Sequence, residues 1–514
     1  MQPSVERVLL LGIVTFTGAC VLIVEVISTR MLAPYFGNTI YSLSSILSVT
    51  LLALSCGYYV GGKMADKHPR FDLFFGIITA GGITVGLMRL IAKPILAALS
   101  IATSQISGPL IASLFLFLVP AFFLGMLSPF AIQLLHARDP KRGVGSVAGA
   151  VFFWSTIGSI VGSLLAGFLL IPTLGIQTIL LSIAAALLLL GLGGLISVRG
   201  LAAKNLPGLA LLLAFAALAV YPGSKSVDPN VLFSLEGLYQ NIRVVRGEYL
   251  GEPVHMLFQD RNFSSAIFLA HDDLVFGYAP YYRLATDFRT KPLTQALFIG
   301  AGAFSLPREI LLKHANVEVD VVDIEPGLFD IARRYFRLEP SPRLHWHVQD
   351  GRSYVRESDK KYDLIFSDVY QDFLATPAHI TTKEFLELAR STLAEDGIFM
   401  ANVIGSLKPS PQSFLFSEMR TFQEVFPKHR FFGVLSPTDP RIQNLIFMGC
   451  TDGARCIDPC TADLRNNSDI FLASLCGKQV NAENLALETH PILTDDFAPV
   501  EYLAAEAVPN RREP

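Results

Sequence analysis

Gln295-Ala-Leu-Phe-Ile-Gly-Ala-Gly-Ala-Phe-Ser-Leu-Pro-Arg-Glu309 decides how the soluble part of this chain is read. Four apolar residues run into Gly300 and Gly302, and a helical pattern starts near Ser305. That is a buried strand, a tight glycine turn and a helix start. Glycine permits positive φ and close approach of a ligand, and a helix N-terminus offers free N–H groups. Alone, a G-x-G is weak evidence. Here a second apolar strand, Val317–Val322, ends in Asp323, 21 residues after Gly302, where an acid suits a ribose diol. Two further strands carry acids at their ends: His347-Val-Gln-Asp350-Gly351 and Tyr362-Asp-Leu-Ile-Phe-Ser-Asp368.

In open α/β sheets ligands bind beyond the carboxyl ends of the strands, so Asp323, Asp350 and Asp368 are expected to converge on one crevice. Asp323 would accept hydrogen bonds from ribose hydroxyls. Asp350 would accept from an adenine amino group, with Gly351 letting the base approach. Asp368 opens Asp368-Val-Tyr370-Gln371-Asp372 and leads on to Pro377-Ala-His379. An acid pair there could hold an amine and take its proton. The competing structural reading is that acids after strands cap the next helix or hold a turn.

Outward from this stretch, strands and helices alternate. Helices are expected at Arg308–His314, Leu328–Phe336, Thr382–Leu393 and Ser413–Phe426, and strands at Ile398–Ile404, Arg430–Leu435 and Leu445–Cys450. The alternation implies a largely parallel sheet covered on both faces, a Rossmann-like, class I methyltransferase-type α/β domain over 291–480. A small β region over 231–290 precedes it, 222–230 reads as a linker, and 481–514 as a C-terminal extension.

Residues 1–221 are of another kind. They hold 12 basic and 5 acidic side chains, against 29 and 39 in the remainder. So little charge is not a soluble domain but a multi-pass α-helical membrane bundle. Apolar runs long enough to span lie near Leu9–Ile27, Ile40–Val60, Leu73–Ile91, Leu110–Leu135, Val147–Ile171 and Ile176–Ile196. A shorter seventh, Leu206–Val220, carries Pro207, and Pro94–Ile106 could be a further pass or a re-entrant piece. No cleavable signal peptide is expected, because the first apolar run is long and others follow. Gly158-Ser-Ile-Val-Gly162 and Ala80-Gly-Gly-Ile-Thr-Val-Gly86 permit close helix packing. Glu25, Arg30 and Arg89 lie in or at the ends of spans, either as a polar site in the bundle or as ion pairs that fix register.

Basic residues cluster in Lys63–Arg70, Arg138–Arg142 and Arg199–Lys204, which places those loops and the N-terminus in the cytoplasm. Seven spans would leave the soluble domain outside; one more pass would reverse that. Cys450, Cys456, Cys460 and Cys476 fall within 27 residues and could form two disulfides, a metal site or free thiols. The mildly acidic soluble half argues against nucleic acid and suits a cationic substrate.

Ser234-Leu-Glu-Gly-Leu-Tyr-Gln240-Asn-Ile-Arg-Val244, the glycine turn, Val322-Asp-Ile-Glu-Pro326, Asp350-Gly351 and Asp368 occur in the order seen in spermidine synthases, the polyamine aminopropyltransferases. The membrane half, with Phe16-Thr-Gly18, Glu25-Val26 and Arg30 before Phe36-Gly37, resembles the bundle fused to the membrane-bound branch of that family. The resemblance implies aminopropyl transfer from decarboxylated S-adenosylmethionine, as co-substrate, to putrescine or a related amine. Spermidine and methylthioadenosine would be the products. No prosthetic group or metal is implied, since a sulfonium is its own leaving group. By family position Asp368 is the catalytic residue. Gln240, Gly300, Gly302, Asp323, Asp350, Gly351 and Pro377 hold the nucleoside; Tyr278, Asp368, Tyr370, Gln371 and Asp372 hold the amine. A multi-pass place in the cell membrane and a homo-oligomer are also implied.

The departures fall in the amine half. The turn Gly300-Ala-Gly-Ala-Phe304 lacks the family's acid, and Phe258-Gln-Asp-Arg-Asn-Phe-Ser264 lacks its glutamine in the usual place. The histidine that follows the Phe-x-Tyr segment is missing, and the second acid of the loop is shifted to Asp372. The alternatives are a methyltransferase using intact S-adenosylmethionine and a non-catalytic adenosyl-binding membrane sensor.

Overall fold

The computed structural model describes residues 3–104, 106–199, 228–237, 239–260, 262–289, 291–370, 376–454 and 456–505. The chain divides into two compact units, Met1–Val227 and Asp228–Pro514.

The first unit is helical: α1 (Pro3–Phe36), α2 (Ile40–Lys67), α3 (Phe71–Ala102), α4 (Ser107–Leu116), α5 (Leu118–Gly125), α6 (Leu127–Arg138), α7 (Val144–Leu165) and α8 (Ile176–Arg199). Among the described residues six helices are long and apolar enough to cross a membrane. The seventh expected run, Leu206–Val220, lies outside the described residues. Two expectations are corrected. Pro94 lies inside α3, so that stretch continues the third helix. The expected single span Leu110–Leu135 is broken after Leu116 and again after Gly125. Pro120 and Pro129 each fall in the first turn of the helix that follows a break, where a missing N–H costs nothing. The span that remains is Leu118–Arg138.

The glycines do pack. A Cβ on Gly158 or Gly162 of α7 would strike the backbone of Thr15 or Ala19 in α1, and Ser159 Oγ donates to Gly18 O at 3.1 Å. Glu25 of α1 borders a small cavity with Ser28, Thr50 and Phe117.

The second unit opens with an antiparallel sheet of β1 (Val231–Glu236), β2 (Asn241–Tyr249), β3 (Glu252–Gln259) and β4 (Asn262–Phe268), in that order. The elements that follow are β5 (Gln295–Ile299), α9 (Ser305–Lys313), β6 (Glu318–Asp323), α10 (Leu328–Tyr335), β7 (Leu344–Val348) and α11 (Gly351–Glu357). They continue with β8 (Tyr362–Ser367), α12 (Lys383–Thr392), β9 (Leu393–Ser406), α13 (Phe414–Val425), β10 (Lys428–Gly433) and β11 (Ile442–Cys450). The seven-stranded order is β10-β11-β9-β8-β5-β6-β7. β5 is covered on both faces: Ala296 and Phe298 join one core cluster, Leu297 and Ile299 another. The first of these clusters also takes in Ile242, Val244 and Leu257, so the small sheet packs on that face.

The sheet is parallel from β7 to β9, but β11 runs antiparallel to both β9 and β10. The link from Gly433 to Ile442 is too short for a crossover helix, and a link that short permits only antiparallel return. Of the alternatives for the clustered cysteines, the structure holds disulfides, Cys450–Cys456 and Cys460–Cys476, which suit an oxidising compartment.

Candidate active site

The turn after β5 is built on left-handed backbone: Gly300 has φ +92°, Gly302 +47° and Phe304 +60°. Gly300 N donates to Val322 O at 2.9 Å. A Cβ on Gly300 would collide with the carbonyl oxygen of Asp368, while Asp368 N donates to Ile299 O at 2.9 Å. On the other side the Asp323 carboxylate accepts from Ala301 N at 2.9 Å and from Glu325 N at 3.0 Å. Asp323 and Asp368, the tips of the two strands flanking β5, therefore clasp one glycine turn. Ser265 of β4 completes the brace, accepting from Ala303 N at 2.9 Å. Burial pushes the Asp323 acid above its ordinary range against those backbone bonds. A carboxylate offers about four lone-pair sites, so capacity remains for ligand hydroxyls.

Asp350 follows β7, the next strand out. It caps α11, accepting from Ser353 N at 2.9 Å, and its second oxygen lies 2.8 Å from His379 Nε2. Burial alone would raise this acid, but the Ser353 N–H and His379 outweigh it and hold it below the usual carboxylate range. Gly351 is required here: a Cβ would run into the Ile299 side chain. Pro377 leads into the short turn Ala378–Ile380 that carries His379 to Asp350. Gln240 accepts from Gln259 Nε2 at 2.8 Å. Its loop is tied to the tip of β6 by the buried Glu325, which accepts from Tyr239 N at 3.0 Å.

Asp368 itself is held by two donors. Tyr278 Oη donates to Oδ2 at 2.7 Å and Asn402 Nδ2 to Oδ1 at 2.8 Å. Asn444 donates to Asn402 Oδ1 at 2.9 Å and so fixes which way that amide points. Tyr370 Oη donates to the Asn402 carbonyl at 2.6 Å. Burial raises Asp368 to about 6, with the Asn402 and Tyr278 bonds pulling the other way. A carboxylate of that acidity is ionised at neutral pH and basic enough to take a proton in a transition state.

The structure thus ties Asp323 and Asp368 to the turn of Gly300 and Gly302, brings Gly351, next to Asp350, against Ile299 before that turn, and sets Tyr278 on Asp368; Gln240 is held by Gln259, and Pro377 by its place before the turn that carries His379. Gln371 and Asp372 lie outside the described residues. Sequence reasoning passed over Glu325, Gln259, Ser265 and Asn402. Asn402 did leave a signal, a lone amide in the apolar strand Ile398–Ile404.

Residues 287–455 match the spermine/spermidine synthase domain. A polyamine aminopropyltransferase of Vibrio vulnificus is 29% identical over 171 residues, 32% of this chain and 55% of that protein. Polyamine aminopropyltransferase 1 of Streptomyces coelicolor is 25% identical over 418 residues, 77% of this chain and 75% of the relative. A probable spermidine synthase from Corynebacterium glutamicum aligns with a TM-score of 0.43 at 20% identity, over 52% of this chain and 97% of that structure. The chain spans about half the length of the Vibrio relative. The Streptomyces match covers more of the chain than the second unit holds, so it takes in part of the apolar half. Through its C-terminal α/β domain, the chain is similar to the spermine/spermidine synthase family.

Proposed function

We propose that this protein is an aminopropyltransferase that moves the aminopropyl group of decarboxylated S-adenosylmethionine to putrescine or a related amine, releasing methylthioadenosine. The observation that carries this is Asp368: a carboxylate at about 6, aimed by Tyr278 and Asn402 beside the glycine turn. The amine nitrogen attacks the propyl carbon next to sulfur. The C–S bond breaks, its electron pair stays on sulfur as the neutral thioether, and the proton leaving nitrogen goes to Asp368. The protein has only to exclude water, align the attack and accept that proton. In this reading Asp323 takes the ribose hydroxyls, Asp350 with Gly351 the adenine edge, and Gln240, Gly300, Gly302 and Pro377 the rest of the nucleoside. Tyr278, Tyr370, Gln371 and Asp372 surround the amine. We place residues 1–199 in a lipid bilayer, as a multi-pass cell-membrane anchor. The open edge strands of the four-stranded sheet favour self-association.

The acid-free turn Gly300–Phe304 favours a second reading, methyl transfer from intact S-adenosylmethionine. Calorimetry with both donors separates them. Aminopropyl transfer predicts at least about tenfold tighter binding of the decarboxylated donor; equal or inverted preference contradicts it.

Tyr278→Phe tests the base. It removes a hydrogen bond that favours the ionised carboxylate, so Asp368 must rise further above 6. The protonated acid cannot serve, so activity is lost on the acid side. The acidic limb of the pH profile of kcat/KM should move up by about one unit, in line with a charged hydrogen bond worth roughly 1.5–3 kcal/mol. An unmoved limb would show that this bond does not set the basicity.

A further inference from the structure

The glycine turn Gly300–Phe304 carries no acid, and a linear diamine brings two positive charges. Among the described residues, one carboxylate outside the turn is suited to the second charge. Glu418, in the middle of α13, is 8% exposed, and its Oε2 has no hydrogen-bond partner among the described residues. Its neighbours on the helix are satisfied: Ser417 and Thr421 donate to Ser413 O and Ser417 O at 3.0 and 2.7 Å. A buried carboxylate oxygen with no hydrogen bond is costly to keep charged, and burial alone lifts Glu418 to about 8.

Its position gives the waste a purpose. Phe414, one helical turn before Glu418, belongs to a core cluster against which Ile404 of β9 and Ala378, the residue after Pro377, also pack. The Tyr370 hydroxyl donates to Asn402 on that same stretch of β9. Burial first, then the negative fields of Asp368 and Glu418 together, push the Tyr370 phenol well above its ordinary range. A Cβ on Gly405 of β9 would meet the side chain of Leu415, three residues before Glu418, so α13 lies against the end of the strand that carries Asn402. Among the described residues no Lys or Arg pairs with Asp368 or Glu418.

We propose that Glu418 is the anchor for the distal ammonium of the acceptor, so that Asp368 receives the attacking nitrogen and Glu418, beyond Tyr370, receives the far positive charge of a linear diamine. This rests on the transfer reading above. It makes Glu418 a specificity-determining residue, with no part in the bond-making step.

The test uses the full-length protein in detergent or lipid, decarboxylated S-adenosylmethionine, and either putrescine or n-butylamine, which lacks the second charge. Methylthioadenosine release is followed for wild type, Glu418→Gln and Glu418→Asp. With Glu418→Gln, KM for putrescine should rise at least about tenfold, the scale of a lost charged pair, while kcat at saturation falls far less. The preference for putrescine over butylamine should shrink by the same factor, and Glu418→Asp should restore part of it. Thermal unfolding checks that the Gln variant is folded; removing a buried lone acid should leave it at least as stable. An unchanged putrescine preference in a folded Gln variant overturns the anchor and leaves the transfer reading standing. No methylthioadenosine from wild type with any amine ends both.

Discussion

Asp368→Asn is expected to lower kcat by about 100- to 10,000-fold, the usual worth of a positioned general base, while donor affinity stays within a small factor. Asparagine keeps the size of the side chain and an oxygen that can accept from Tyr278, so the turn Ile299–Phe304 keeps its shape. The backbone bond from Asp368 N to Ile299 O does not involve the side chain. What is lost is the ability to take a proton from the reacting nitrogen. The loss should persist at every pH, whereas the wild-type profile should fall only as pH drops through about 6. Stopped-time methylthioadenosine release, with donor binding measured separately, reads both quantities. A variant that loses donor binding along with turnover would assign Asp368 to the nucleoside pocket. A variant that keeps turnover would remove it from the chemistry.

Gly300→Ala should be the most damaging single methyl in the α/β domain. The residue has φ +92°, outside the region an L side chain adopts easily, and the added Cβ would meet a backbone carbonyl that no rotamer change can move aside. Together these should cost about 3 kcal/mol of stability. The carbonyl in the way is that of Asp368, so whatever relaxation occurs displaces the proposed base. A shift on the order of 1 Å costs roughly 100-fold in rate, and an activity loss of at least that size is expected in the fraction that folds. Gly302→Ala is the useful contrast. There the contact is the hydroxyl end of the Ser265 side chain, which can rotate, and φ +47° is nearer to what alanine tolerates. Urea unfolding and kcat/KM of the two variants give the comparison; equal, mild effects would mean the turn is not the hinge of the site.

How much of this was legible beforehand follows from what kind of interaction sets each feature. The glycine turn and the aspartates at 323, 350 and 368 were readable because a strand buried on both faces writes a continuous apolar run, and its tip writes the next polar residue. The long apolar helices were readable from charge depletion and apolar runs, but the break between α4, α5 and α6 was not, because helix-terminal prolines look like interior ones until the turns are counted. The antiparallel β11 was missed for a related reason: parallel and antiparallel strands differ in their connection, and only the short Gly433–Ile442 link distinguishes them. Asn402, Glu325 and Gln259 act across sequence separations that no local pattern records. Asn402 meets Asp368 from 34 residues away, and Glu325 meets Tyr239 from 86. Glu418 was hidden for the opposite reason, since one acid on an amphipathic helix is ordinary until its burial is known.

In the proposed reaction the glycine turn and its aspartates present an adenosyl sulfonium to an amine, with Asp368 as proton acceptor. The most direct measurement is transfer itself: full-length protein, decarboxylated S-adenosylmethionine labelled in the propyl chain, putrescine, and mass spectrometry of both products. The account predicts label in a propylated amine and one methylthioadenosine for each amine formed. Label that stays with the nucleoside, or a methylated amine made only from intact S-adenosylmethionine, would contradict it.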